Sequence, residues 1–432
     1  MRQVSIAPAT RPLLGTVTVP GDKSITHRAL ILGALAQGQT RVTGYSQGED
    51  CLNTLRAVRG LGVEVQEIPE GVKVIGKGLW GLTEPSNVLD CGNSGTGLRL
   101  LAGVLAGQEF FSVLTGDASL RSRPMGRVVK PLRQMGATIT GRQGGDFAPL
   151  AIQGGALKSV MYESPVASAQ IKSCVLLAGL FTEGTTTVKE PMKSRDHTER
   201  MLGYLGVPLR VEGCTVHVEG RQSFEGKPIA VPGDISAAAF FLVAASIVPN
   251  SEVLLTGIGL NPERTGILDV LSMMGADIAI LNKREESGEP VGDLRARATR
   301  LTGTTIGPEL IPKTIDELPI LCVAAALAEG ETCIAGAQEL RVKETDRIHA
   351  MAVELARIGV TLEEKPDGLV IQGGSSLQGG VCQSYGDHRV VMSLAIAGLV
   401  AKEPILIENV DCVETSFPGF QGKLLDLLTN SK

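Results

Sequence analysis

Aromatic side chains are scarce in this chain: one Trp, four Tyr and nine Phe make up 3% of its 432 residues. Flat bases are commonly held on aromatic platforms, so the scarcity argues against a nucleic-acid binder. The formal net charge of -5 agrees, although a net charge does not exclude a locally basic cleft. The eight cysteines (Cys51, Cys91, Cys174, Cys214, Cys322, Cys333, Cys382, Cys412) show no CxxC or Cys/His spacing, which predicts mostly buried thiols and no metal. The longest apolar run, Ile235 to Pro249, is too short to span a bilayer. No apolar h-region opens the N-terminus "MRQVSIAPATRPLLG", so no membrane partner is expected and cytoplasm is the expected compartment. The runner-up is an organelle protein whose transit peptide lies outside this numbering. Nucleotide motifs are missing as well. There is no GxxxxGK[ST], and "GIGLNPERTG" fails GxGxxG at Pro262.

Glycine, by contrast, is abundant at 53 residues, and the chain is too long for one ordinary core. "VPGD" occurs at Val19 and again at Val231, 212 residues later and close to half the chain, which points to duplication. A finer repeat lies inside it. The tags "LGVEV", "MGATI", "LGVPL", "MGADI" and "IGVTL" place Gly62, Gly136, Gly206, Gly275 and Gly359 at intervals of 74, 70, 69 and 84 residues. Each follows a helical pattern and precedes a strand-like one, so each glycine suits the residue just past a helix end. "PILIENVDCVETSFPGFQGKLLDLL" reads as a sixth unit cut short by the C-terminus. The predicted fold is of the α/β class, with two similar domains of three α+β (βαβαββ-type) units each. One domain is expected over 1–14 plus 236–432 and the other over 15–235. Two crossing strands, near residues 15 and 235, would make a hinge suited to a cleft that closes on ligands.

The informative charges recur where a strand or loop gives way to a helix. Lys23, Ser24 and Arg28 fall on the first long helix, and Lys and Arg in a first turn oppose the macrodipole, so an anionic ligand is one reason for them. Gly21 would let the backbone approach that ligand. "LDCGNSGTGLRLLAG" reads as a glycine-rich loop exposing N–H groups, either to a small acid or as a purely structural turn. "SLRSRPMGRVV" carries Arg121, Arg123 and Arg127, with Pro124 suited to a first helical position. Ser168 and Gln170 stand at one helix entrance, with Ser194 and Arg195 before another. Asp316 and Glu317 precede an apolar helix, where capping is the plainer reading. Lys343, Glu344 and Arg347 are expected to span one helical turn, and Asp387, His388 and Arg389 enter a strongly apolar helix. Any one of these is ordinarily a cap or a solvated charge; together they repeat one position of the unit.

Read in order, "GDKSITHRALILGAL", "GNSGTGLR", "RPMGR", "SAQIKS", "DELP", "RVKETDR" and "GDHR" resemble the enolpyruvyl transferases over the whole chain. The resemblance implies two domains of three repeated units, with ligands bound in the cleft between them. The activity it implies is transfer of the enolpyruvyl group of phosphoenolpyruvate to the 5-hydroxyl of shikimate 3-phosphate. On that carry-over Lys23, Ser24, Arg28, Ser168, Gln170, Arg195, Asp316 and Lys343 hold shikimate 3-phosphate. Lys23, Gly95, Arg123, Gln170, Arg347 and Arg389 hold phosphoenolpyruvate, and Asp316, Glu344 and Lys23 are the catalytic groups. No metal or organic cofactor is implied, and a monomer is expected. In the branch whose acceptor is UDP-N-acetylglucosamine a loop cysteine stands where this chain has Ala118. Three further positions bear on the fit. Many members have a lysine where Thr415 stands, and many have Asn where Glu339 stands. At Gly95 a subgroup carries Ala and resists glyphosate, so sensitivity is expected here.

Overall fold

The computed structural model describes residues 2–429. Its secondary structure falls into two compact units. Among the described residues, one comprises 2–20, 233–284 and 290–429; the other comprises 21–232 together with 285–289, the tip of a long hairpin. Each has its own apolar core, one centred on the helix Ile235–Ile247 and the other on Lys23–Leu35. The helix Ile235–Ile247 is apolar almost all round and so is stable only when surrounded, and both helices are buried along almost their whole length.

Within residues 21–232, three four-stranded sheets repeat one pattern. A short strand runs parallel to a second, which pairs antiparallel with a third, which closes a hairpin with a fourth. Residues 89–153 show the order within one unit: strand Leu89–Asp90, helix Gly95–Ala106, strand Phe111–Thr115, helix Gly126–Gln134, then strands Thr138–Arg142 and Phe147–Gln153. This is the expected βαβαββ order. The other part of the chain repeats it twice in full. Its third sheet holds three strands, and the truncated sixth unit is completed from the N-terminus: Gln3–Ile6 pairs antiparallel with Ile405–Glu408.

The two "VPGD" segments exchange strands. Leu14–Val17 pairs with Glu252–Gly259 yet leads into the helix Lys23–Leu35, whereas Ile229–Ala230 pairs with Gln37–Thr43 yet leads into Ile235–Ile247. The division between units therefore falls at 20/21 and 232/233, just past each strand. In both copies the aspartate caps the helix, Asp22 Oδ1 accepting from the Ile25 N–H at 2.9 Å and Asp234 Oδ1 from the Ser236 N–H at 2.8 Å. Gly21 answers to packing rather than to a ligand, because a Cβ there would lie 1.9 Å from the Gly44 carbonyl oxygen. The five tag glycines all adopt positive φ, from +81° at Gly62 to +101° at Gly136, where a helix stops and a strand begins.

Candidate active site

The residues singled out in 21–232 gather at helix starts. Lys23 opens its helix and places Nζ 3.0 Å from Asp50 Oδ2. Ser24, half-buried, does not cap the helix, since Asp22 does. Arg28 is buried and spreads its guanidinium over neutral oxygens: Nε to Thr198 Oγ1 at 2.7 Å, Nη2 to Ser173 Oγ at 2.7 Å and Nη1 to the Ser24 carbonyl at 2.8 Å. Burial pulls its pKa down to about 10, and nearby Arg195 pushes the same way against Glu199, Asp22 and Glu289. It remains a cation at neutral pH. Ser168 caps the helix Ala169–Gly179, and its N–H donates to Glu190 Oε1 at 2.9 Å.

The glycine-rich loop does start a helix, Gly95–Ala106, capped by Ser94. Arg123 lies against it, donating from Nη2 to Asn93 Oδ1 at 2.6 Å and to Ser119 Oγ at 3.0 Å, and from Nη1 to the Asn93 carbonyl at 3.2 Å. Gln170 is fixed from both ends: its Oε1 accepts from Arg99 Nη1, and its Nε2 donates to Thr96 Oγ1 at 2.9 Å. A Cβ on Gly95 would sit 3.1 Å from Arg99 Nη1 and 3.5 Å from Arg123 Nη1. Pro124 does not start the following helix, which begins two residues later at Gly126 with Met125 as its cap. Arg99 went unnoticed in the sequence because it reads as an ordinary helix position. His27 was missed for the same reason. It is fully buried, with Nδ1 2.7 Å from Thr54 Oγ1 and Nε2 3.3 Å from Ser94 Oγ, so it ties the first helix to the cap of the third. Burial, reinforced by the charges of Lys23 and Arg28, lowers its pKa to about 3.

In the other unit the centre is Arg347. Its Nε meets Asp387 Oδ2 at 2.8 Å, its Nη2 meets Glu344 Oε2 at 2.7 Å, and its Nη1 meets Asp316 Oδ1 at 3.3 Å. Burial works against the Arg347 charge, yet Asp387, Glu344 and Asp316 outweigh it and hold the pKa above that of an ordinary arginine. Asp316 also lies 3.6 Å from Arg264 Nη1 and 3.9 Å from Lys343 Nζ, so three cations surround one carboxylate. Its carbonyl accepts from Arg389 Nη1 at 2.8 Å. Neither Asp316 nor Glu317 caps by side chain; Glu317 accepts from the Ser236 hydroxyl instead. Lys343 and Glu344 do not share a helical turn with Arg347: that helix starts at Arg347, capped by Asp346, and the two precede it in a loop. Asp387 caps the helix His388–Gly398 through the Arg389 N–H at 2.8 Å while binding Arg347. Thr415 ends a 3-10 turn with its hydroxyl on the Cys412 carbonyl at 2.7 Å. Ala118 lies exposed in a turn, and Glu339 is half-buried.

Among the described residues no three His, Cys, Asp or Glu are placed to hold a metal ion, and no helix is long and apolar enough to cross a membrane. A family model described as "EPSP synthase (3-phosphoshikimate 1-carboxyvinyltransferase)" matches residues 8–424. A protein of Citrifermentans bemidjiense named 3-phosphoshikimate 1-carboxyvinyltransferase is 55% identical over 97% of this chain and 98% of its own. One from Pelotomaculum thermopropionicum with the same name is 56% identical over 98% of each. A solved EPSP synthase from Acinetobacter baumannii superposes with a TM-score of 0.89 at 45% identity, covering 99% of this chain and 98% of that one. With a family model spanning nearly the whole chain and relatives more than half identical end to end, the chain belongs to the EPSP synthase family.

Proposed function

We propose that this chain transfers the enolpyruvyl group of phosphoenolpyruvate to the 5-hydroxyl of shikimate 3-phosphate, giving 5-enolpyruvylshikimate 3-phosphate and phosphate. The observation that carries this reading is the Asp316 arrangement, a carboxylate ringed by Arg347, Arg264 and Lys343 and followed by Glu344 on the same guanidinium. On this reading Asp316 and Glu344 are the two proton-handling groups that the chemistry requires. As the 5-oxygen attacks C2 of phosphoenolpyruvate, its proton leaves to Asp316 and C3 receives a proton from Glu344, forming a tetrahedral ketal. The C2–O bond to phosphate then breaks, C3 returns a proton to Glu344, and the proton held by Asp316 leaves with the departing phosphate. Each such transfer is worth about 10² to 10⁴ in rate. Lys23, whose Nζ is held by Asp50, is the rival for one of these roles.

In this reading both ligands occupy the cleft between the two domains, which closes on them by hinge motion. Shikimate 3-phosphate is held by Lys23, Ser24, Arg28, Ser168, Gln170, Arg195, Asp316 and Lys343. Phosphoenolpyruvate is held by Lys23, Gly95, Arg123, Gln170, Arg347 and Arg389. Two phosphates and a carboxylate call for several cations, and charge-assisted hydrogen bonds contribute roughly 1.5–3 kcal/mol each. The forked guanidinium suits both kinds of anion. The enzyme is read as a cytoplasmic monomer, the monomer being checked by light scattering of the purified chain. Phosphate release measured with each acceptor tests the activity: turnover with shikimate 3-phosphate is expected, and turnover with UDP-N-acetylglucosamine alone would overturn the assignment.

A further inference from the structure

Beneath the proposed phosphate-binding residues lies a buried ionic cluster to which the reaction assigns no role. Lys172 Nζ sits 2.9 Å from Glu190 Oε2, 2.8 Å from Glu199 Oε1 and 3.2 Å from the Ser194 carbonyl. The side chains of Lys172 and Glu190 are each 1% exposed. Burial opposes the lysine charge, but Glu199 and Glu190 outweigh it and raise its pKa above that of an ordinary lysine. Such a cluster is weak ground for stability, since well-packed apolar groups often serve a core as well. Its other contacts show what it organises. Glu190 Oε1 accepts from the Ser168 N–H at 2.9 Å and the Ser194 hydroxyl at 2.6 Å, and Oε2 accepts from the Ser194 N–H at 3.4 Å. One carboxylate thus fixes the cap of the helix Ala169–Gly179 and the residue beside Arg195. Glu199, the cluster's other acid, acts electrostatically on Arg28, and Thr198 next to it accepts from Arg28 Nε.

We infer that Lys172 and Glu190 are positioning residues that lock Ser168 and the loop carrying Ser194 and Arg195 into the geometry that grips the phosphate of shikimate 3-phosphate. The inference rests on the assignment of Ser168 and Arg195 to that phosphate. Lys172 pairs with both Glu190 and Glu199 and offsets part of their charge, which lessens the repulsion between the bracing carboxylate and the incoming dianion. Loss of the brace lets both elements drift, and a displacement near 1 Å is enough to weaken a preorganised site by up to about 100-fold.

The test compares Glu190→Gln with the natural enzyme by steady-state kinetics on both substrates, after thermal unfolding has shown that the variant folds. The expected result is a KM for shikimate 3-phosphate raised about 10-fold or more, with KM for phosphoenolpyruvate and kcat within about 3-fold. Equal changes in both KM values, or none, would overturn the inference. Glu190→Asp keeps the charge and shortens the reach, so it reads the same split more weakly and serves if the glutamine variant does not fold. Arg195→Ala reports on the underlying assignment. A raised KM there beside an unaltered one in Glu190→Gln overturns only the positioning role, whereas an unaltered KM in Arg195→Ala removes the phosphate assignment and this inference with it.

Discussion

The two charge clusters handle arginine in opposite ways. Arg28 hydrogen-bonds to hydroxyls and a carbonyl, and the bonds described for Arg123 run to an amide oxygen, a carbonyl and a hydroxyl. Arg347 is embraced by three carboxylates. The neutral oxygens bonded to Arg28 orient its guanidinium without taking its charge, and Glu199, Asp22 and Glu289 act on it only electrostatically. The carboxylate partners of Arg347 cancel much of its charge, and the cation then serves to hold the acids in place. On the proposed reading the first cluster serves binding alone, whereas the second combines binding with proton transfer. Substituting one member of each should affect different kinetic constants.

The largest effect belongs to the carboxylate cluster. Asp316→Ala should lower kcat by roughly 10² to 10⁴, and isothermal titration should still detect phosphoenolpyruvate and shikimate 3-phosphate together. Wild-type turnover in this variant would abolish the distinction between the clusters. Arg28→Lys comes next. A lysine keeps the charge but cannot span Thr198, Ser173 and the Ser24 carbonyl at once. KM for shikimate 3-phosphate should rise about 10- to 100-fold, the equivalent of one lost charge-assisted bond at roughly 1.5–3 kcal/mol, with kcat little changed. A fall confined to kcat would place Arg28 with the proton-transfer groups.

Gly95→Ala probes the space between the two arginines of the binding cluster. The added methyl would press on Arg99 Nη1 at 3.1 Å and Arg123 Nη1 at 3.5 Å, and one methyl in a closed pocket is worth roughly 1–3 kcal/mol, or about 10-fold and more. The inhibition constant for glyphosate should rise by that much, and KM for phosphoenolpyruvate by less. An unchanged constant would move the donor site away from Gly95.

Much of this architecture was legible because it rests on local rules repeated five times. A glycine past a helix end needs positive φ whatever surrounds it, and each of the five tags has it. The aspartate of "VPGD" caps both helices for an equally local reason. The sequence left unread what depends on contacts between distant residues. The sixth sheet is completed by a strand about 400 residues away, and no periodicity announces such a partner. Lys172 and His27 lie inside apolar helices, where spacing shows a polar residue but not the partner that justifies its burial. The fourfold spacing of Lys343 and Arg347 suggested a helical face, yet the Asp346 cap starts the helix after both loop residues. Spacing arguments hold only where the element itself is secure.

The smallest effect separates the clusters by pH. His27 lies between the cations of the binding cluster, and burial with those charges drops its pKa from 6.5 in the unfolded chain to about 3. Between these values the unfolded chain binds the proton and the folded one does not, so stability is fully present above pH 6.5 and is lost as pH falls toward 3. At pH 5 the loss from this one group is about 2 kcal/mol. His27→Gln removes the titration while leaving an amide able to bond Thr54 and Ser94. Thermal unfolding followed from pH 7.5 down to pH 4.5 should therefore show a shallower acid slope in the variant than in the natural chain. Identical slopes would show that the acid sensitivity does not come from His27, and the binding cluster would then owe nothing to a histidine kept neutral by burial.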